Sequence, residues 1–173
     1  GWGSTSYFSA NIADAGQPEI VASPGGVFVV AWPAYVSDRS GLYSVWSTNS
    51  GLGWTSPVLI DSDNGVGQSS DKVSLAIDPT GNAVAVWRQS SGTVWNIWAN
   101  RFWPADGGVW GTAEQIEAFG RHADQPMVAM GANGRAVAVW GHVNNGGTPT
   151  DIWANAYIPQ IGWGTATRVN DGG

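Results

Sequence analysis

Hydrophobic positions in this chain fall in short runs of strand length, and the runs recur at a nearly fixed interval. One pattern joins an apolar strand, a glycine turn and a second strand ending in tryptophan: Ile20-Val21-Ala22, Gly25-Gly26, then Val27 to Trp32. It returns as Ser74-Leu75-Ala76, Gly81-Asn82, Ala83 to Trp87, and again as Met127-Val128-Ala129, Gly134-Arg135, Ala136 to Trp140. Trp32 and Trp87 lie 55 residues apart, Trp87 and Trp140 53. A second pattern follows each tryptophan: Val45-Trp46-Ser47-Thr48-Asn49, Ile97-Trp98-Ala99-Asn100-Arg101, Ile152-Trp153-Ala154-Asn155-Ala156. A third, Gly-Trp ahead of a short amphipathic strand, occurs at Trp2, Trp54, Trp110 and Trp163, so it has four copies where the others have three.

These runs read as strands. The Ala-Val-Ala-Val-Trp stretches are continuous, β-branched and bounded by glycine, as strands buried on both faces are. Residues 96–102 and 151–157 alternate with period two. Pro79-Thr80-Gly81-Asn82 and Gly131-Ala132-Asn133-Gly134 carry the residues that tight hairpins accept. No segment keeps a helical period over ten residues; the nearest, 113–119, falls where the repeat wants a strand. Four short antiparallel strands per repeat is the propeller-blade pattern. The sequence therefore predicts an all-β, propeller-like chain of three four-stranded blades of about 53 residues. It forms a single repeat domain over 1–173, with an outer strand over 1–16 and blade units near 17–69, 70–122 and 123–173. Three blades are too few to close a ring, since propellers carry roughly 4 to 8. Two outcomes stay open: a homodimer closing a six-bladed ring, or a slice of a longer array. The opening Gly1-Trp2-Gly3 is itself a repeat motif, so the chain is expected to be processed, trimmed or partly observed.

Composition narrows the partners. Twelve Trp and 25 Gly beside only 12% charged residues describe a compact, turn-rich β protein rather than a disordered one. Net charge is −6 and the seven cations are scattered, which argues against nucleic acid and anionic membranes as partners. No apolar run nears the roughly 20 residues of a membrane helix, so no membrane insertion is expected. With no cysteine, disulfides, thiolate metal sites and a Cys nucleophile are excluded.

At Gly81-Asn82-Ala83-Val84-Ala85-Val86-Trp87 and Ile97-Trp98-Ala99-Asn100-Arg101 the chain resembles secreted bacterial repeat proteins of the sialidase-type or lectin-type propeller. The resemblance covers nearly the whole chain and implies a secreted, periplasmic or cell-surface location. The assembly logic is similar to that of small fucose-binding lectins, whose short chains combine into a ring. Their binding motifs are not matched, so no site residue carries over. The Asp-box of sialidases, Ser-x-Asp-x-Gly-x-Thr-Trp, is absent, and Ser37-Asp38-Arg39-Ser40-Gly41 has the wrong spacing. The arginines share no repeat position: in the sequence alignment Arg88 matches Pro33 and Gly141, and Arg101 matches Asn49 and Ala156.

Sugars stack an apolar ring face on an aromatic plane while neighbouring polar groups take the hydroxyls. Trp46, Trp98 and Trp153, with Asn100 and Asn155 two residues after the last two, are the candidate ligand-binding set. The competing reading is packing between blades. Trp95 and Trp103 fall outside the repeat and are expected to be the exposed pair. No cofactor is required, though copper or calcium has candidate ligands in His122 and His142, with Asp124 near, and in the loop Asp61-Ser62-Asp63-Asn64-Gly65. That loop lacks a Glu at its twelfth position, which is Lys72, and reads equally as a turn. Catalytic patterns are missing: Glu114 and Glu117 face opposite sides of a strand, and no Gly-x-Ser-x-Gly is present. The expected function is non-enzymatic binding of carbohydrate or surface glycan through repeated Trp/polar pockets. The alternatives are a structural or assembly subunit of a larger extracellular complex, and a copper- or calcium-binding periplasmic protein.

Overall fold

The computed structural model describes residues 13–36, 39–61, 70–90, 92–117, 120–143 and 149–170. They form three antiparallel sheets, each built from one repeat. In the first, β1 (Ala13–Ala15) and β2 (Glu19–Ala22) share one edge of β3 (Phe28–Val36), followed by β4 (Arg39–Ser47) and β5 (Val58–Leu59). The second runs β6 (Ser70–Ile77), β7 (Ala83–Ser90), β8 (Trp95–Trp103), with β9 (Val109–Trp110) and β10 (Glu114–Gln115) both on β8. The third runs β11 (His122–Met130), β12 (Ala136–Val143), β13 (Pro149–Ile158), with β14 (Gly162–Trp163) and β15 (Thr167–Arg168) both on β13. The all-β, three-bladed, propeller-like architecture is the one the repeat predicts. Trp110 and Trp163 lie in the outer strands β9 and β14, Trp54 lies ahead of β5 outside any strand, and Trp2, the fourth copy, lies outside the described residues.

Each blade is a sheet with two apolar faces, and the strand period of two decides which residue faces which neighbour. In blade two, Ala83, Ala85 and Trp87 pack with Val29, Ala31 and Trp46 of blade one. The alternate residues Val84 and Val86, with Ile97 and Ala99, pack with Ala136, Ala138 and Trp140 of blade three. All four of these blade-two side chains are fully buried. The small alanines let the central sheets approach; the tryptophans fill the space where the twisted sheets diverge. A third cluster, Trp32, Ala34 and Val45 with Val30, Tyr43 and Trp54, covers the far face of blade one. The glycine turns lie where positive φ is needed, at Gly26, Gly81 and Gly134.

Cross-strand register corrects one alignment. Trp87 lies opposite Trp98 and Trp140 opposite Trp153, but Trp32 lies opposite Tyr43. Tyr43 is therefore the blade-one counterpart of Trp98 and Trp153. Trp46 sits three residues further on, and three is odd, so it points to the other face, towards blade two. Its counterparts are Arg101 and Ala156.

Polar ties join the blades at the same place in both interfaces. The Asn100 side-chain amide donates to Ile60 O in blade one at 2.9 Å and to Gly111 O in its own outer strand at 3.1 Å. Asn155 repeats this with Ile116 O of blade two and Gly164 O, both at 3.0 Å. Replacing Asn155 with Ala strands two carbonyls at a buried site. The expected cost is about 1–3 kcal/mol in urea unfolding, against less than about 0.5 kcal/mol for Thr48→Ala on the surface.

Candidate functional site

The two interfaces start from the same plan and diverge at one position. In the first, the Trp46 ring packs on Phe102 at 5.3 Å, and its indole N–H donates to Gly107 O at 2.7 Å. It is 8% exposed and closes the groove between blades one and two. In the second, Arg101 occupies the equivalent position and lies over Tyr157, the counterpart of Phe102, at 4.2 Å. The chain between Pro159 and Trp163 is also two residues shorter than that between Pro104 and Trp110. No indole fills this groove, and a cleft of about 640 Å³ remains.

Four segments build the cleft. The β6–β7 turn supplies Asp78 and Asn82, the end of β8 supplies Arg101 and Trp103, the β11–β12 turn supplies Asn133, and the start of the β13–β14 turn supplies Gln160 beside Tyr157. Trp103 is 37% exposed and lies 5.0 Å from the Arg101 guanidinium. Arg101 thus contacts two aromatic rings, and its Nη1 donates to the Tyr157 hydroxyl. Asp78 holds the turn: Oδ1 accepts from Thr80 N–H, the Thr80 hydroxyl and Asn82 N–H, and Oδ2 from the Asn82 amide. Burial works against its charge, but these hydrogen bonds hold its carboxyl below the usual range. The cleft therefore offers a partly exposed indole, a guanidinium, and amides on Asn133 and Gln160, while the Asn82 amide is used by Asp78 and Thr80.

The candidate ligand residues lie elsewhere. Trp46, Asn100 and Asn155 are buried, and the two asparagines use both amide hydrogens within the protein. Trp98 and Trp153 are half-buried in the two interface cores, Trp153 against the His142 ring at 5.0 Å. This corrects the expectation of repeated Trp/Asn pockets: at those positions the packing reading holds, because each ring lies between two sheets. Trp103 is exposed as its place outside the repeat predicted. Trp95 is half-buried, with the Arg88 guanidinium 4.1 Å above its ring. The signal that could have found the cleft is the Trp46, Arg101, Ala156 series, which becomes visible once Tyr43 is aligned with Trp98.

The metal candidates do not converge. His122 is exposed, and its Nδ1 accepts the Trp95 N–H at 3.4 Å. His142 is buried, with Nε2 3.3 Å from Glu117 Oε1; burial first, then the Arg121 charge, holds its pKa below the ordinary histidine value. Asp124 is taken by Lys72 at 2.7 Å and Arg88 at 3.2 Å. Asp61 Oδ2 accepts from Leu42 N–H and the Ser70 hydroxyl, and Asp63 lies outside the described residues. Among the described residues no three His, Asp or Glu side chains gather as ligands. Glu117 as the neighbour of His142 was not foreseen, since 25 residues separate them.

No family model matches the chain, and no curated protein matches it in sequence. Solved structures match in fold. A polysaccharide lyase described as a PL25 ulvan lyase superposes with TM-score 0.64 at 11% identity over 92% of this chain. A leech intramolecular trans-sialidase gives 0.63 at 9% over 98%, and a Penicillium chrysogenum alpha-L-arabinanase 0.58 at 11% over 91%. The chain spans 45%, 46% and 45% of those three proteins. The likeness fixes the sialidase-type propeller fold, with this chain less than half as long.

The two tryptophans part in what they hold together. Trp46→Ala opens the first interface and is expected to cost about 3–5 kcal/mol in unfolding. Trp103→Ala, on the rim of the cleft, is expected to cost less than about 1 kcal/mol. Paired urea titrations check both.

Proposed function

We propose that this chain is a non-enzymatic carbohydrate-binding module acting outside the cell, and that it binds sugar in the cleft between blades two and three. The observation that carries the reading is Trp103, an indole partly open to solvent on the rim of a polar cleft. A pyranose ring can stack its C–H face on such an indole while the amides of Asn133 and Gln160 take hydroxyls. The absence of catalysis is supported by the carboxylates. Glycoside hydrolysis uses two carboxyl groups facing the bond. The cleft is lined by one, Asp78, whose oxygens are occupied by its own turn. The carbohydrate-directed enzymes that share the fold agree with a sugar ligand.

Titration with a panel of neutral and acidic oligosaccharides, followed by tryptophan fluorescence, tests this. A ligand should shift the emission of the wild type, and Trp103→Ala should lose most of the response while circular dichroism and melting stay unchanged. Retained binding in Trp103→Ala, or no response to any sugar, removes the reading.

A second reading, assembly, rests on the far face of blade three. Val137 and Ile152 there are 46% and 41% exposed, while their counterparts Val84 and Ile97 in blade two are fully buried under the next blade. Val169, which donates its N–H to Ile152 O as Ile60 does to Leu42 O, is exposed too. A face with interface composition needs a blade on top of it, and a second copy of the chain supplies one, as a homodimer or within a larger assembly. Light scattering behind size exclusion is expected to give the mass of two chains, reduced to one by Ile152→Asp. A wild-type monomer at tens of micromolar overturns self-association.

A further inference from the structure

Among the cations with described side chains, each is paired with a carboxylate or open to water, with one exception inside the cleft. Arg88 pairs with Asp71 at 2.6 Å and Asp124 at 3.2 Å; Arg168 pairs with Asp151 at 2.9 Å and Arg121 approaches it at 3.8 Å. Lys72 pairs with Asp124. Arg135 is exposed to bulk water. Arg101 differs from all of these. It is half-buried, its Nε–H has no acceptor among the described residues, and no described carboxylate forms an ion pair with it. Its polar partner is the neutral Tyr157 hydroxyl. Asp78, on the same cleft wall, does not form that ion pair.

Resting on the sugar-binding reading, we infer that Arg101 makes the cleft selective for saccharides that carry a carboxylate, such as uronic-acid oligosaccharides. A guanidinium partly removed from water without a counter-ion is electrostatically unsatisfied, and an incoming carboxylate relieves that more than a hydroxyl does. Contacts with two aromatic rings add to this. The guanidinium carbon lies 5.0 Å from the Trp103 ring centre and 4.2 Å from that of Tyr157, which restrains the side chain, so less rotamer freedom is lost on binding. Stacking also leaves the positive charge intact, because aromatic rings attract a cation without neutralising it. The cation is specific to this groove: the same repeat position is Trp46 in blade one and Ala156 in blade three. A sugar lying on Trp103 brings a ring substituent beside the guanidinium 5.0 Å away.

The test uses the whole chain and a panel of glucuronate, galacturonate and mannuronate oligosaccharides, each beside its carboxyl-reduced neutral counterpart. Affinities come from calorimetry at low and high salt. At least one uronate should bind about tenfold or more tighter than its reduced form, with the gap shrinking as salt rises. Arg101→Met should bring the uronate down to the level of its carboxyl-reduced counterpart in the same variant. Arg101→Lys, which keeps the charge and loses the fork, should fall between and guards against a Met variant that does not fold. Equal binding of acid and reduced forms by the wild type, lost in Trp103→Ala, overturns the carboxylate inference and leaves sugar binding standing. No binding of any oligosaccharide overturns both.

Discussion

Everything in this molecule depends on blades covering one another. A four-stranded sheet made of Ala, Val and Trp has no water-facing side over its central strands, so a single blade is not a stable object. The interface that solves this is built twice, with a polar pin in the same place each time. Asn100 and Asn155 reach from the third strand of one blade to a carbonyl on the outer strand of the blade before. Hydrophobic contact alone is tolerant of sliding. A buried amide that must find one particular carbonyl is not, and it fixes the register in which the apolar faces meet. The cleft inherits its geometry from that registration, since its walls belong to two different blades.

Given the shared plan, the difference between the two grooves follows from one residue and a shorter turn. Trp46 fills its groove with a large ring and caps it with a hydrogen bond to the Gly107 carbonyl. The close approach leaves no room for a side chain at Gly108, where an added Cβ would meet the indole nitrogen at 2.3 Å. Arg101 leaves the second groove open, with its guanidinium over the Tyr157 ring at 4.2 Å. Equivalent positions of one repeat thus close one groove and leave the other open. A packed first interface supports a second that is left partly unfilled.

The sequence was legible wherever the repeat held. The strands, their order within a blade, the glycine turns and the outer Gly-Trp strand all follow from hydrophobic period and spacing. Legibility failed where the repeat drifts. Val45-Trp46 looks like Ile97-Trp98 and Ile152-Trp153, yet the β3–β4 hairpin places Tyr43 opposite the landmark tryptophan. A slip of three residues along a strand exchanges faces, so a ring matched to one side belongs to the other. Asn100 and Asn155 were picked out correctly as a repeated pair, but a repeated polar residue satisfies a repeated need, and here the need is to hold blade to blade. His142 and Glu117 could not be paired from spacing, because the contact crosses between blades.

This suggests where to look in a repeat fold for whatever is not structural. Positions that recur in every blade answer to the interfaces, which also recur. A ligand needs an asymmetric site, so its residues are expected among the departures from the repeat. Trp103 corresponds to Ile158 in blade three, and Arg101 to Trp46 and Ala156. The apolar contacts and the asparagine pins of the interface are made by other residues. The cost of Arg101 and Trp103 to the fold is a cation held away from full hydration and an indole left on the rim. Arg101 ties blades two and three through Tyr157, yet it closes the groove less than Trp46 closes the first. In the proposed function, the gain that offsets this comes from what enters the cleft.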